Sequence, residues 1–352
     1  MVAAPSRELQ FLIMMDAEAS PEQVERVLAR VAEAGLETRV TPGQETTVIG
    51  VIGDSDLEQD ALATLGVHQL DGVKQAMPVS KPYKLVARQT SPDPTLMQVR
   101  GRRVGQGYFA LIAGPCTVES REQTLETARA VHAAGATMLR GGAFKPRTSP
   151  YSFQGLGVEA LHILEEAREE TGLPLVTELL DPRHVEEVIE TADVIQIGAR
   201  NMQNFILLSE VGKGDKPVLL KRGPSASVEE LLMAAEYILK EGNPRVMLCE
   251  RGIRTFERST RYTLDIGSIP VLKEETHLPV IVDPSHAAGR RELVPALARA
   301  AVAAGADGII VEAHPDPVHA LCDGPQLIPT GEFAAFAEEI RTVATMMGMQ
   351  MG

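Results

Sequence analysis

A thiol, an imidazole and two carboxylates stand at Cys116, His286, Glu312 and Asp323, each at or just beyond the end of a short apolar run. Mixed sulfur, nitrogen and oxygen donors of this kind suit a divalent transition metal such as Mn, Fe, Co or Zn. Neither CxxC nor HExxH occurs, so local spacing carries no signal. The case is topological: it requires the runs before these residues to end side by side. The alternative is one packed cysteine and three ordinary polar loop residues. A second set is cationic: Arg140, Lys145, Arg147, Arg200, Lys221 and Arg251. Charges just past apolar runs are costly unless paired or bound to anions. Salt bridging is the expectation for Arg222 and for Arg254 on the surface. For the six together, two phosphorylated or carboxylated ligands are expected, because arginine offers bidentate contacts to both groups. Gly141, Gly142 and Gly252 beside them let backbone approach a ligand closely.

The elements that must position these groups alternate. Apolar runs at 108–114, 136–140, 174–179, 193–198, 217–221, 245–250, 279–283 and 307–313 read as strands. Amphipathic helix patterns follow them, clearest at 121–134, 157–171, 183–191, 227–241, 290–304 and 331–346. Eight such units in roughly 250 residues predict a TIM (β/α)8 barrel, whose chemistry sits at the C-terminal ends of the strands. A doubly wound sheet is the alternative, but the GxGxxG opening it favours is missing. In a closed barrel strands one, seven and eight are neighbours, which brings Cys116, His286, Glu312 and Asp323 together.

Residues 1–79 read as a separate small α+β unit. A strand over 8–16 precedes a helix over 20–35, with Ser20 as its cap and Pro21 in its first turn. Two strands then flank a turn at Pro42–Gly43, and a second helix over 57–66 leads to a last strand ending at VKQAMPV. The order βαββαβ is ferredoxin-like. A polar stretch over 80–100 reads as a linker to the catalytic domain at 101–352. The small unit has no catalytic constellation, and a regulatory gate is the role expected of it.

A net charge of −14 argues against nucleic acid or an anionic membrane as partner. With 44% hydrophobic and 23% charged residues the chain has ordinary globular composition. The cysteines, Cys116, Cys249 and Cys322, are too few for a disulfide framework, and no signal peptide or apolar run of 18 residues is evident. A cytoplasmic enzyme is expected.

The motifs GPCTVES, LRGGAFKPRTSPYSFQG, QIGARNMQNF, LLKRG, ERGIRTFE, VDPSHAAG and DGIIVEAHPDP, in this order, resemble the type I 3-deoxy-D-arabino-heptulosonate 7-phosphate (DAHP) synthases with an N-terminal ferredoxin-like domain. The resemblance covers essentially the whole chain. It implies condensation of phosphoenolpyruvate with erythrose 4-phosphate. Cys116, His286, Glu312 and Asp323 match the metal ligands; metal-independent relatives carry Asn where Cys116 stands, so one divalent metal ion is implied. Arg140, Lys145, Arg200, Lys221 and Arg251 match the phosphoenolpyruvate pocket, and Lys145, Pro146, Arg147 and Thr148 the erythrose 4-phosphate contacts. Inhibition by an aromatic amino acid, tyrosine or phenylalanine, and a homo-oligomer, a tetramer, are also implied. The competing family is 3-deoxy-manno-octulosonate 8-phosphate synthase, which uses arabinose 5-phosphate; KPRTSP at 145–150 and the extra domain favour the first. A catalytically silent barrel partnered with chorismate mutase is a further alternative, disfavoured by the intact donor and cation sets.

Three expectations concern reactivity. Lys145, between the two subsites, is the candidate proton donor or relay, with a pKa lowered by burial and neighbouring cations. Without metal, Cys116 is expected to have a lowered pKa, being flanked by Arg and Lys, and to form a disulfide with Cys322 in air. Cys249 is expected in the core.

Overall fold

The computed structural model describes residues 7–43, 46–54, 65–78, 82–147 and 149–352. The chain divides into two compact units, Met1–Pro94 and Thr95–Gly352. In the first, strands β1 (Arg7–Met15), β2 (Glu37–Pro42), β3 (Thr47–Asp54) and β4 (Val73–Pro78) form a sheet in the order β2-β3-β1-β4. Every pairing in it is antiparallel. The helix Pro21–Glu33 begins with a capping box, Ser20 accepting from the Gln23 amide while Gln23 accepts from the Ser20 amide. Strand alternation puts Phe11, Ile13 and Met15 on one face, where they pack against Val27, Val31, Ile49 and Val51. This is the expected ferredoxin-like arrangement. The second helix expected over 57–66 falls largely outside the described residues.

In the second unit a short hairpin, β5 (Met97–Val99) with β6 (Arg102–Val104), precedes the parallel strands β7 (Tyr108–Gly114), β8 (Met138–Arg140), β9 (Leu175–Glu178), β10 (Val194–Ile197), β11 (Val218–Lys221), β12 (Val246–Glu250), β13 (Val280–Val282) and β14 (Gly308–His314). Each pairs with the next in the chain, and β14 returns to β7 with Gly308 opposite Ala110, Ile310 opposite Ile112 and Glu312 opposite Gly114. The sheet is thereby closed into the expected eight-stranded barrel. Its interior is filled by Ala110, Ile112, Met138, Val176, Val194, Leu219, Met247, Cys249, Ile281 and Ile310. Cys249 is in the core, as expected. Met97, Val99 and Val104 of the hairpin join the same cluster, so the segment read as a linker over 80–100 ends inside the barrel's packing.

Helices follow the strands at Arg121–Ala133, Val158–Thr171, Val185–Thr191, Val228–Lys240 and Thr330–Met346, within a few residues of the sequence pattern. Two weakly patterned helices, Phe205–Gly212 and Ser268–Glu275, complete the units after β10 and β12. The pattern over 290–304 is divided into a 3-10 turn, Arg291–Leu293, and the helix Val294–Ala303 with a proline in its first turn. Short strands β15 (Ile328–Pro329) and β16 (Gln350–Met351) extend the sheet beside β14 and β7. No helix among the described residues is long and apolar enough to cross a membrane.

Candidate active site

Closure of β14 onto β7 sets Glu312 beside the strand whose end leads to Cys116. On the other side of β7, Gly114 allows the end of β8 to come close: a Cβ there would lie 2.1 Å from the carbonyl oxygen of Arg140. After β13, Asp283 caps the short helix Pro284–Ala288 by accepting the His286 amide at 2.9 Å. Its other oxygen lies 2.7 Å from His286 Nδ1. That bond fixes the ring and turns Nε2 toward Glu312 Oε1 at 3.5 Å and Asp323 Oδ2 at 4.0 Å. Asp323 Oδ2 also lies 3.4 Å from Cys116 Sγ. The four sequence-predicted donors therefore meet. Two overlapping groups, Cys116–Cys322–Asp323 and His286–Glu312–Asp323, each keep their donor atoms within 4.8 Å of one another and share Asp323.

The charge balance of this cluster is compatible with a cation. Lys145 Nζ lies 2.8 Å from Cys116 Sγ and 3.0 Å from Asp323 Oδ2, so an ammonium already stands against two of the donors. Burial would raise the pKa of Glu312, but His286 and Arg140 outweigh it and hold that carboxyl at about 2. Asp323 is likewise held well below the ordinary range, with Lys145 and His286 overcoming burial. Burial lowers the pKa of His286 in spite of Asp283, which favours the neutral ring a metal needs.

Two expectations about protons are corrected. Lys145 was expected to titrate low; burial does oppose its charge, but Cys116, Glu312 and Asp323 outweigh burial and hold it well above an ordinary lysine. Its neighbours are anions rather than the cations assumed. Cys116 was expected to be an acidic thiol, yet burial pushes it well up, and the hydrogen bond to Cys322 and the charge on Glu312 add to the rise. Cys322 accepts from Cys116 at a sulfur–sulfur distance of 3.6 Å, which lowers its pKa against the effect of burial. Arg147 Nη1 lies 2.8 Å from the same sulfur.

Beside the cluster is a cavity of about 410 Å³ whose walls include Arg140, Lys145, Pro146, Arg147, Arg200, Lys221, Arg251, His286 and Asp323. Thr148 lies outside the described residues. Three of the six cations are paired: Arg140 Nη1 with Glu312 Oε1 and Lys221 Nζ with Asp283 Oδ2, each at 2.5 Å, and Lys145 Nζ with Asp323 Oδ2. Among the described residues Arg147, Arg200 and Arg251 make no ion pair; Arg251 stacks 4.4 Å over the Tyr262 ring. Arg222 is salt-bridged as expected, to Glu250 at 2.8 Å and Asp265 at 2.9 Å. Arg254 is exposed, but the salt bridge expected of it is not made among the described residues; it lines the cavity instead.

Several residues at the site were not picked out from the sequence. Glu178, Gln196 and Tyr262 line the cavity. Arg261 Nη1 reaches Asp323 Oδ1 at 3.0 Å, and Gln326 donates to Glu312 Oε2 at 2.6 Å. Asp283 had a readable signal, since Asp-Pro three residues before His286 is a helix start. Arg261 had none, because its loop has no periodic pattern.

A closed parallel barrel with a thiol, an imidazole, carboxylates and several cations gathered on its C-terminal rim defines a TIM-barrel enzyme. The chain belongs to the DAHP synthetase I family, which it matches over residues 86–348, and residues 12–81 match the DAHP synthase ferredoxin-like domain. It is 47% identical over 340 residues to a phospho-2-dehydro-3-deoxyheptonate aldolase of Thermotoga maritima, covering 97% of this chain and 99% of that protein. A crystal structure of the phospho-2-dehydro-3-deoxyheptonate aldolase from Thermotoga maritima matches with a TM-score of 0.77 at 46% identity, over 98% of this chain and 100% of that one. A 2-dehydro-3-deoxyphosphooctonate aldolase of Caulobacter vibrioides is 35% identical over 257 residues, covering 68% of this chain and 88% of that protein.

The sulfur geometry yields one prediction. All three cysteines are free, and the sulfurs of Cys116 and Cys322 lie 3.6 Å apart, close enough to be linked with little movement. Aerated, chelator-treated protein is expected to form a Cys116–Cys322 disulfide, lose activity, and regain it on reduction with added Mn2+. Peptide mapping reads the link. Oxidation of Cys116 with Cys322 left free would rule it out, as would an unchanged inactivation rate in Cys322→Ser.

Proposed function

We propose that the cavity at the open end of the barrel binds phosphoenolpyruvate and erythrose 4-phosphate together and condenses them with water to DAHP and inorganic phosphate, the first step toward the aromatic amino acids. The observation that carries this reading is that Arg147, Arg200 and Arg251, which have no carboxylate partner among the described residues, line the same cavity as the donor cluster. Arg140, Lys145, Arg200, Lys221 and Arg251 are assigned to phosphoenolpyruvate. Lys145, Pro146 and Arg147, with Thr148, are assigned to erythrose 4-phosphate. Holding two anions against their mutual repulsion is the principal task of these cations.

Cys116, His286, Glu312 and Asp323 would hold one divalent ion of the Mn, Fe, Co or Zn type, which supplies Lewis acidity toward the aldehyde oxygen. C3 of phosphoenolpyruvate bonds to the aldehyde carbon, leaving C2 short of electrons. Water adds at C2 and gives up one proton, and the resulting hemiketal collapses: its hydroxyl loses the second proton to form the C2 carbonyl as the bond from C2 to the phosphate oxygen breaks, and the phosphate leaves carrying a proton. Lys145, kept protonated by its neighbours, is the donor at Nζ for the oxygen that becomes the new hydroxyl. Asp283 orients His286 and Lys221 from a single carboxylate oxygen. The ferredoxin-like unit is assigned the part of a gate for tyrosine or phenylalanine, in a cytoplasmic homo-tetramer.

Phosphate release from the two substrates is expected to stop with chelator and return with Mn2+. Arabinose 5-phosphate in place of erythrose 4-phosphate is expected to lower kcat/KM by at least about tenfold. Full activity in metal-free protein would remove the metal role, and a preference for arabinose 5-phosphate would reassign the substrate. Arg147→Ala is expected to raise KM for erythrose 4-phosphate about ten- to a hundredfold, the equivalent of about 1.5–3 kcal/mol for a charged hydrogen bond, with much less effect on phosphoenolpyruvate. Equal effects on both would contradict the subsites. A chain beginning at residue 80 is expected to keep activity and lose inhibition. If the intact enzyme ignores all three aromatic amino acids, chorismate and prephenate, the gate is wrong.

A further inference from the structure

Glu119 stands three residues past Cys116, in the loop after β7, and both oxygens of its carboxylate are engaged at distant points of the chain. Oε1 accepts the backbone N–H of Leu321 at 3.0 Å. Oε2 lies 3.3 Å from Nε2 of His314, the last residue of β14. The other ring nitrogen, Nδ1, accepts the backbone N–H of Asp316 at 2.9 Å and so carries no proton. In the neutral ring the proton is then on Nε2, which donates to Glu119. The two side chains are only 6% and 9% exposed.

One carboxylate thus grips the loop after β14 at its start and again at the residue before Cys322 and Asp323. Apolar packing holds that stretch only near its end, where Ala320 and Cys322 pack with Cys116 and Leu327, while Val318 is 82% and Leu321 54% exposed. Asp323 itself has φ +52°, a left-handed conformation that a non-glycine residue keeps only where its surroundings impose it. The loop that carries Cys116 and the loop that carries Asp323 are therefore tied together through Glu119, outside the donor cluster.

We propose that Glu119, with His314, is a positioning residue for the cation site: the pair sets the separation at which Cys116 and Asp323 face each other. The proposal rests on reading Cys116, His286, Glu312 and Asp323 as cation ligands. Glu119→Gln separates this role from bulk and burial. The amide keeps one oxygen for Leu321 but presents N–H to the N–H of His314, and no neutral tautomer of His314 can accept at both nitrogens.

The test is calorimetric binding of Mn2+ alone to reduced, metal-stripped full-length protein, with melting temperature and the KM for phosphoenolpyruvate at saturating Mn2+ measured alongside. In E119Q the Kd for Mn2+ is expected to rise about tenfold or more, as for other residues that orient metal ligands. The melting temperature is expected to stay close to that of the parent and the KM to change less than about twofold. H314A is expected to act in the same direction, and H314Q, whose amide can still donate to Glu119, to fall between H314A and the parent. The double variant E119Q/H314A is expected to lose no more than the larger single loss. Parent-like Mn2+ affinity in E119Q overturns the proposal, as does weaker binding matched by equal losses in melting temperature and KM, which is general loosening. If E119Q does not fold, parent-like affinity in H314A overturns it instead. A parent protein that binds no Mn2+ refutes the cation reading itself, a separate failure.

Discussion

Everything at the open end of the barrel depends on the pairing of β14 with β7. Cys116 and Asp323 are far apart in the chain, and Glu312 faces Gly114 only because the sheet closes on itself. Parallel strands gain their stability from burial on both faces, and this barrel fills its interior with Ile, Val, Leu, Met and Cys side chains from successive strands. The rigid element thus lies beneath the site, and the chemistry is carried by side chains at strand ends and in the first residues of the loops. Closure fixes which loops are adjacent. It does not fix how far apart their side chains stand, and polar contacts such as those of Asp283 and Glu119 supply that.

The cluster around Asp323 shows how such a site stays folded. Two carboxylates and two thiols converge within a few ångström, and left alone they would repel. Arg140 answers Glu312, Arg261 answers Asp323, and Lys145 stands between Cys116 and Asp323. The consequence reaches the protons: the carboxyls titrate low and Lys145 high. The direction of these shifts is set by the partners, because burial alone would have driven the carboxyls up and the lysine down.

This explains what could be read from the sequence and what could not. Strand β7 was legible to the residue, and the other barrel strands to within two, because short apolar runs between turn signals have few alternatives. The four donors and six cations were legible by type and by position past a strand. Their pairing was not. That Arg140 and Lys221 are matched to Glu312 and Asp283 while Arg147, Arg200 and Arg251 are not depends on the reach and direction of side chains across the barrel mouth. The expectation for Lys145 failed because the charges across the barrel mouth are anions, and that for Cys116 because burial outweighs the Lys145 ammonium beside it. Arg261 comes from a loop with no periodicity, and only the folded chain brings it to Asp323.

Asp283 shows why the two halves of the site are not independent. Its side chain is fully buried, and one oxygen serves both His286 Nδ1 and Lys221 Nζ. His286 belongs to the donor cluster, whereas Lys221 faces the cavity among the cations. Removing one partner of a buried pair leaves an uncompensated charge, at a cost of about 3–5 kcal/mol, which the remaining partner can offset only by moving. Any movement of Lys221 toward a bound anion draws on the same carboxylate that orients His286. The ring of His286 and the ammonium of Lys221 are therefore set by one balance of forces, that around a single oxygen of Asp283.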